Sequence, residues 1–280
     1  MGVTRRELAG LTFAEWHPGG APVVLCLHGL TSTSEVWSAF AAALPDARVI
    51  APDLPGRGGS VDTPAGPGLA GHAEAVVRLA DELALDDIVV VGHSMGAFVA
   101  PLAAYALGKR VRKVVLMDGG VPPEQTLVVR RPVVRAVFGL QTRLLDRRWR
   151  DVRSYVDAVE GKAIANRAEL RPRMVEWAAY MLGGPPGALR PRVDSARLVA
   201  DATDALAGEK TLPALTDVDA PVHAIVAANG KDDNAKPFIS DRALAAGHVC
   251  LPRLTSERVR ANHLTMLFDP AGPAAVRALP

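Results

Sequence analysis

Gly92-His93-Ser94-Met95-Gly96 lies between the β-branched run Ile88-Val89-Val90-Val91 and the helix-like stretch 97–105. A serine on a strand-to-helix turn, with glycine two residues away on either side, has the setting of a nucleophile. Such a turn strains the serine backbone, and side chains at the two glycine positions would strike the neighbouring strand and helix. It also lifts the hydroxyl out of the sheet over the positive end of the following helix. The pentapeptide alone suits an ordinary loop equally well; its flanks point to chemistry. Because a serine hydroxyl at its free pKa attacks poorly, the chain must also supply a base, an acid to orient that base, and donors for a developing oxyanion.

Composition narrows the field. The 280 residues suit one large α/β domain with an insertion, and 49% hydrophobic with 22% charged residues is ordinary for a folded chain. The net charge is only +2, with arginines mixed among acids, so no basic stripe is offered to nucleic acid. Cys26 and Cys250 both fall in apolar strand-like runs, which predicts buried small hydrophobes, no disulfide framework and a reducing compartment. No paired His-Cys or His-carboxylate spacing suggests a metal, and no G-x-G-x-x-G follows a strand, so no cofactor is expected. The twin arginine Arg5-Arg6 lacks an apolar signal core, being followed by Glu7, Glu15 and His17, and a cytoplasmic protein is expected. Residues 88–108 carry no Asp, Glu, Lys or Arg. That length could span a membrane, but the glycine-flanked His93-Ser94 pair inside it predicts a buried strand and helix instead.

The elements that must position the serine follow from periodicity. Residues 3–8 and 11–16 predict a hairpin turning at Ala9-Gly10. Short apolar runs at Val23 to Leu27, Val49 to Ala51, Ile88 to Val91, Val114 to Met117, Val222 to Ala227 and Val249 to Leu251 predict strands buried on both faces of a parallel sheet. Helical stripes at Ser34 to Leu44 and residues 72–84 alternate with them, the pattern of right-handed βαβ units. From about 121 to 212 no strand is evident; one helix is marked by Val175, Ala178, Ala179 and Leu182, and another by Ser195 to Leu206 with Asp194 as N-cap. The glycine-proline run 183–187 predicts a turn, and Pro132 a kink or helix end. The expected division is a core of residues 1–120 and 213–280 with an all-helical cap at 121–212.

In order along the chain stand Leu27-His28-Gly29, Asp53-Leu54-Pro55-Gly56-Arg57-Gly58-Gly59-Ser60, the turn at 92–96, Leu116-Met117-Asp118-Gly119-Gly120 and Asn262-His263. Together these resemble the α/β-hydrolase superfamily, in particular its esterase-like members with a helical cap, over about 23–120 and 220–275. The resemblance implies a mostly parallel central sheet with helices on both faces. It assigns Ser94 as nucleophile and His263 as base, since the family's catalytic histidine follows the last strand. His28 and His93 then take structural roles, His28 bracing the oxyanion loop and His93 pointing away from the nucleophile. For the acid it favours Asp233, three residues after Gly230, with Asp232 and Asp118 as rivals; chain order is then Ser, Asp, His. The backbone amides of Leu30 and Met95 become the oxyanion donors. An aspartate at the elbow would have indicated epoxide or haloalkane chemistry, but position 94 is serine.

The implied activity is cleavage of a carboxylic ester in a small-molecule substrate, through an acyl-enzyme on Ser94. A lactonase, a thioesterase or a carbon-carbon bond hydrolase would use the same residues, and a non-catalytic receptor or interaction scaffold could retain them. Trp149, Tyr155, Trp177, Tyr180 and Met181 of the cap are candidates to line a substrate cavity, or else ordinary core. The cap is arginine-rich and net positive, which suits anionic substrates or simply solvated helix faces.

Overall fold

The computed structural model describes residues 2–66, 68–121, 145–207, 211–251 and 253–278. Pro132 lies outside them. The hairpin forms as expected, β1 (Thr4–Leu8) pairing antiparallel with β2 (Leu11–Trp16). β3 (Val23–Leu27), β4 (Arg48–Pro52), β5 (Ile88–His93) and β6 (Val111–Met117) follow, then the two-residue strands β7 (Leu182–Gly183) and β8 (Arg190–Pro191), and finally β9 (Val222–Ala227) and β10 (Leu254–Val259). The main sheet has the order β1-β2-β4-β3-β5-β6-β9-β10 and is parallel from β4 onward.

Alternate residues of a strand face opposite sides, so a sheet covered twice needs apolar side chains throughout. Val90, Val114 and Leu116 join one buried cluster with α2 (Gly68–Glu82) and α3 (Met95–Leu107), while Val89, Val91 and Val115 join another with Trp37 and Phe40. Phe40 sits on α1 (Ser38–Ala42), preceded by a single 3-10 turn where one longer helical stripe is predicted. The charge-free stretch 88–108 therefore splits into strand and helix, and no described helix is long and apolar enough to cross a membrane.

Between β6 and β9 the described insertion contains α4 (Val152–Val159), α5 (Arg171–Met181), α6 (Ser195–Ala207) and α7 (Thr211–Asp217). It is helical apart from the β7–β8 ladder, which the expectation of no strand did not include. The predicted turn at 183–187 joins those two strands, with positive φ at Gly184 and Gly187. Asp194 caps α6 as expected, accepting from the N–H groups of Ala196 and Arg197 at 3.0 and 3.1 Å.

One predicted strand is absent. Residues 249–250 end the helix α8 (Asp241–Cys250), because the Ser240 hydroxyl accepts from Ala243 N–H at 3.1 Å and starts a helix through the β-branched residue; β10 begins four residues later than Cys250. Cys250 is consequently exposed, whereas Cys26 is buried as expected. The chain closes with α9 (Ala271–Arg277). His28, Ser94, Asp118 and the loops leading to Asp233 and His263 all follow the C-terminal ends of parallel strands, where open α/β sheets place their ligands.

Candidate active site

Ser94 occupies a left-handed region at φ 55° and ψ −119°, a conformation costing a non-glycine residue about 1–3 kcal/mol. The surroundings hold it there. Its N–H donates to Met117 O at 2.9 Å, and a Cβ on Gly92 or Gly96 would fall 2.3 Å from Gly96 O or 2.0 Å from Leu27 O. Gly29 brings its loop directly over the nucleophile: a Cβ there would be 3.2 Å from Ser94 Cβ and 3.7 Å from its Oγ. Leu30 is the next residue of that loop, and Met95 opens α3, where the first N–H groups have no partner within the helix.

His263 is held by its main chain, N–H donating to Gly230 O at 2.8 Å and its carbonyl accepting from His93 Nε2 at 2.8 Å. The His93 and His263 rings lie 4.7 Å apart. His93 is thus a brace between the elbow and the histidine loop. Burial drives its pKa well below the ordinary 6.5, so it stays a neutral donor. His28 fills the expected bracing role: Nδ1 donates to Gly29 O at 2.8 Å, Nε2 accepts from Leu54 N–H at 2.9 Å, and burial lowers its pKa to about 4.

The carboxylate at the imidazole is Asp118. His263 Nδ1 donates to Asp118 Oδ2 at 2.6 Å, with the carboxylate fully buried and the imidazole 24% exposed. Asp118 has φ 47° and reaches across the end of β9, where Ala227 N–H donates to its Oδ1 at 3.1 Å. Asp233, favoured on the resemblance, is turned elsewhere, because its loop closes on itself through Ala235 N to Asp232 O (3.2 Å) and Gly230 N to Ala235 O (2.9 Å). Its oxygens accept from Asn262 and Asn166 at 2.6 and 2.8 Å. It braces the histidine loop toward the insertion. Asp232 caps its own turn, accepting from Asn234 N–H at 3.0 Å.

Ser94 is half-buried and the His263 imidazole is part-exposed, with Nδ1 committed to Asp118. Phe238 stands edge-on to the imidazole at 4.7 Å while 60% exposed. Sequence reading missed it; the only signal was a lone aromatic after Pro237 in a polar loop. Of the cap residues named as cavity candidates, Trp149, Tyr155, Trp177 and Met181 are core, and Tyr180 donates its hydroxyl to Asp53 Oδ2 at 2.5 Å. The described residues hold no cluster of three or more His, Cys, Asp or Glu side chains suited to a metal.

The alpha/beta hydrolase family matches residues 24–278, nearly the whole chain. The chain belongs to that family. Among curated relatives of this hydrolase-fold chain, Lipase LipV of Mycobacterium tuberculosis is 36% identical over 121 residues, 43% of this chain and 45% of the lipase. The 2-(acetamidomethylene)succinate hydrolase of Mesorhizobium japonicum is 32% identical over 118 residues, 41% of this chain and 42% of that protein. The matches span less than half the length of these relatives. A solved structure of E-2-(acetamidomethylene)succinate hydrolase superposes with a TM-score of 0.79 at 25% identity, covering 99% of each chain.

Proposed function

We propose that the protein is a serine hydrolase that cleaves an acyl bond of a small molecule through an acyl-enzyme on Ser94. Ser94 Oγ attacks the carbonyl carbon while His263 Nε2 takes its proton; Asp118 holds Nδ1–H and stabilises the imidazolium. The N–H groups of Leu30 and Met95 receive the oxyanion, each donor being worth about 3–4 kcal/mol. The imidazolium then protonates the leaving group, and water, deprotonated by the same imidazole, releases the acid. The observation that carries this reading is the buried Asp118–His263 pair, tied by His93 to a strained, glycine-framed serine.

A carboxylic ester remains one candidate bond. The full-length likeness to a succinate-derivative hydrolase supports a class wider than esters, and lactones, thioesters or carbon-carbon bonds are alternatives for the same groups. Arg150, Arg167 and Arg171 of the insertion form surface pairs with Asp151, Glu169 and Asp157, and the net positive charge that remains is compatible with an anionic substrate. Labelling by a fluorophosphonate, beside a screen of esters, lactones and thioesters, tests the proposal. Wild-type protein is expected to label and Ser94→Ala not to; wild type that resists labelling overturns it.

A further inference from the structure

Arg57 is wholly withdrawn from solvent, and every edge of its guanidinium is used. Nε donates to the carbonyl of Leu30 at 3.1 Å, Nη1 to Pro55 O at 2.9 Å and to Asp201 Oδ2 at 2.5 Å, and Nη2 lies 3.7 Å from Met95 Sδ. Asp201 belongs to α6 of the insertion and is equally buried. The same oxygen, Oδ2, accepts from His72 Nε2 on α2 at 2.9 Å. One cation thus touches both residues whose amides are assigned to the oxyanion, and its counter-ion comes from a helix 144 residues away in sequence.

The electrostatics keep this pair ionised. Burial lowers the Arg57 pKa from its ordinary value, and the Asp201 charge opposes that. Burial pushes Asp201 upward, but the bond from His72 and the charge of Arg57 outweigh it, leaving the carboxyl below its usual range. A pair buried this deeply adds little net stability, because desolvation offsets its attraction; what it contributes is direction. A planar fork can hold Leu30, Asp201 and the Met95 sulfur at once, which an ammonium on a flexible stem cannot.

We propose that Arg57, locked by Asp201 of α6, is a positioning residue that sets the two oxyanion donors, so that the seating of the insertion on the core governs acylation. This rests on the serine-hydrolase reading, and small misplacements of such donors are costly to rate.

The test is the second-order rate of fluorophosphonate labelling of the full chain between pH 6 and 9, with a melting curve beside it. Two variants are compared with wild type: Arg57→Lys, which keeps the charge, and the double variant Arg57→Met with Asp201→Leu, which replaces the pair by apolar side chains of similar bulk and avoids an unpaired buried charge. Each folded variant is expected to label about 10- to 100-fold more slowly at its plateau. The pH of half-maximal rate should stay where it is, since Asp118–His263 is untouched. A folded variant labelling at the wild-type rate, or one whose profile shifts without loss of plateau, overturns the proposal. If Arg57→Lys does not fold, the double variant decides. Wild type that never labels overturns the serine-hydrolase reading instead, so the two failures are distinct.

Discussion

His93 and His263 are joined side chain to main chain: His93 Nε2 donates to the His263 carbonyl at 2.8 Å across 170 residues of sequence. The residue before Ser94 therefore carries the loop of His263. Burial keeps the imidazole neutral, and the carbonyl it faces selects the tautomer with its proton on Nε2.

Asp118 and Asp233 separate by mutation. Asp118→Asn removes the carboxylate on Nδ1 and is expected to lower kcat by about 10⁴-fold, as loss of a triad aspartate does. Asp233→Asn disturbs only the bonds from Asn262 and Asn166, and kcat should stay within about tenfold of wild type. Steady-state kinetics on any active acyl substrate reads both, and equal losses would return Asp233 to the site.

Acid should unfold this protein through its buried histidines. Unfolded, each imidazole binds a proton near pH 6.5, whereas folded His28 resists until about pH 4, and His72 and His93 are also depressed by burial. Glu160, whose carboxyl burial raises to about 7, works the other way over the same range and offsets one histidine, but with three imidazoles depressed the unfolded chain still binds more protons. Their contribution is full above about pH 6.5 and is lost as pH falls toward 4, His28 alone accounting for roughly 3 kcal/mol at the lower end. Urea midpoints at pH 7.5, 6 and 5 should fall in that order, and a flat series would contradict the assignment.

Tyr180 ties the insertion to the core. Its hydroxyl bonds Asp53 Oδ2 at 2.5 Å, the carboxylate also accepts from Ser34 and Gly59 N–H at 2.7 and 2.8 Å, and the Arg5 and Arg192 guanidinium groups flank the ring at 4.1 and 5.0 Å. Tyr180→Phe keeps the ring and loses one charge-assisted bond, worth about 1.5–3 kcal/mol. Denaturant unfolding should show a loss of that size, and an unchanged midpoint would mean the bond contributes nothing.

Gly96→Ala should be among the most damaging single changes. Its Cβ would fall 2.0 Å from Leu27 O and 2.8 Å from His28 O, both rigid backbone, so α3 must back away from β3. A loss of more than about 3 kcal/mol is expected, seen as a lowered melting midpoint or insoluble protein. Near-normal stability would show that the helix start can move.

The amino-acid order alone determined the strand-turn-helix that presents Ser94, and most of the sheet strands and helices, because those depend largely on near neighbours. Strand, glycine-framed turn and helix occupy twenty consecutive residues from Ile88 to Leu107; the clash that demands Gly92 is with the turn itself, at Gly96 O, whereas Gly96 is demanded by Leu27 O and His28 O at the end of the neighbouring strand. Asp194 and its helix were equally local. Which carboxylate meets the His263 imidazole was not, since Asp118 and Asp233 both follow parallel strands and differ in where the carboxylate points. That direction was set by distant partners: Ala227 N–H and the imidazole draw Asp118 inward, while Asn166 and Asn262 hold Asp233 outward. Phe238 against His263 and Asp201 against Arg57 likewise became neighbours only when the chain packed.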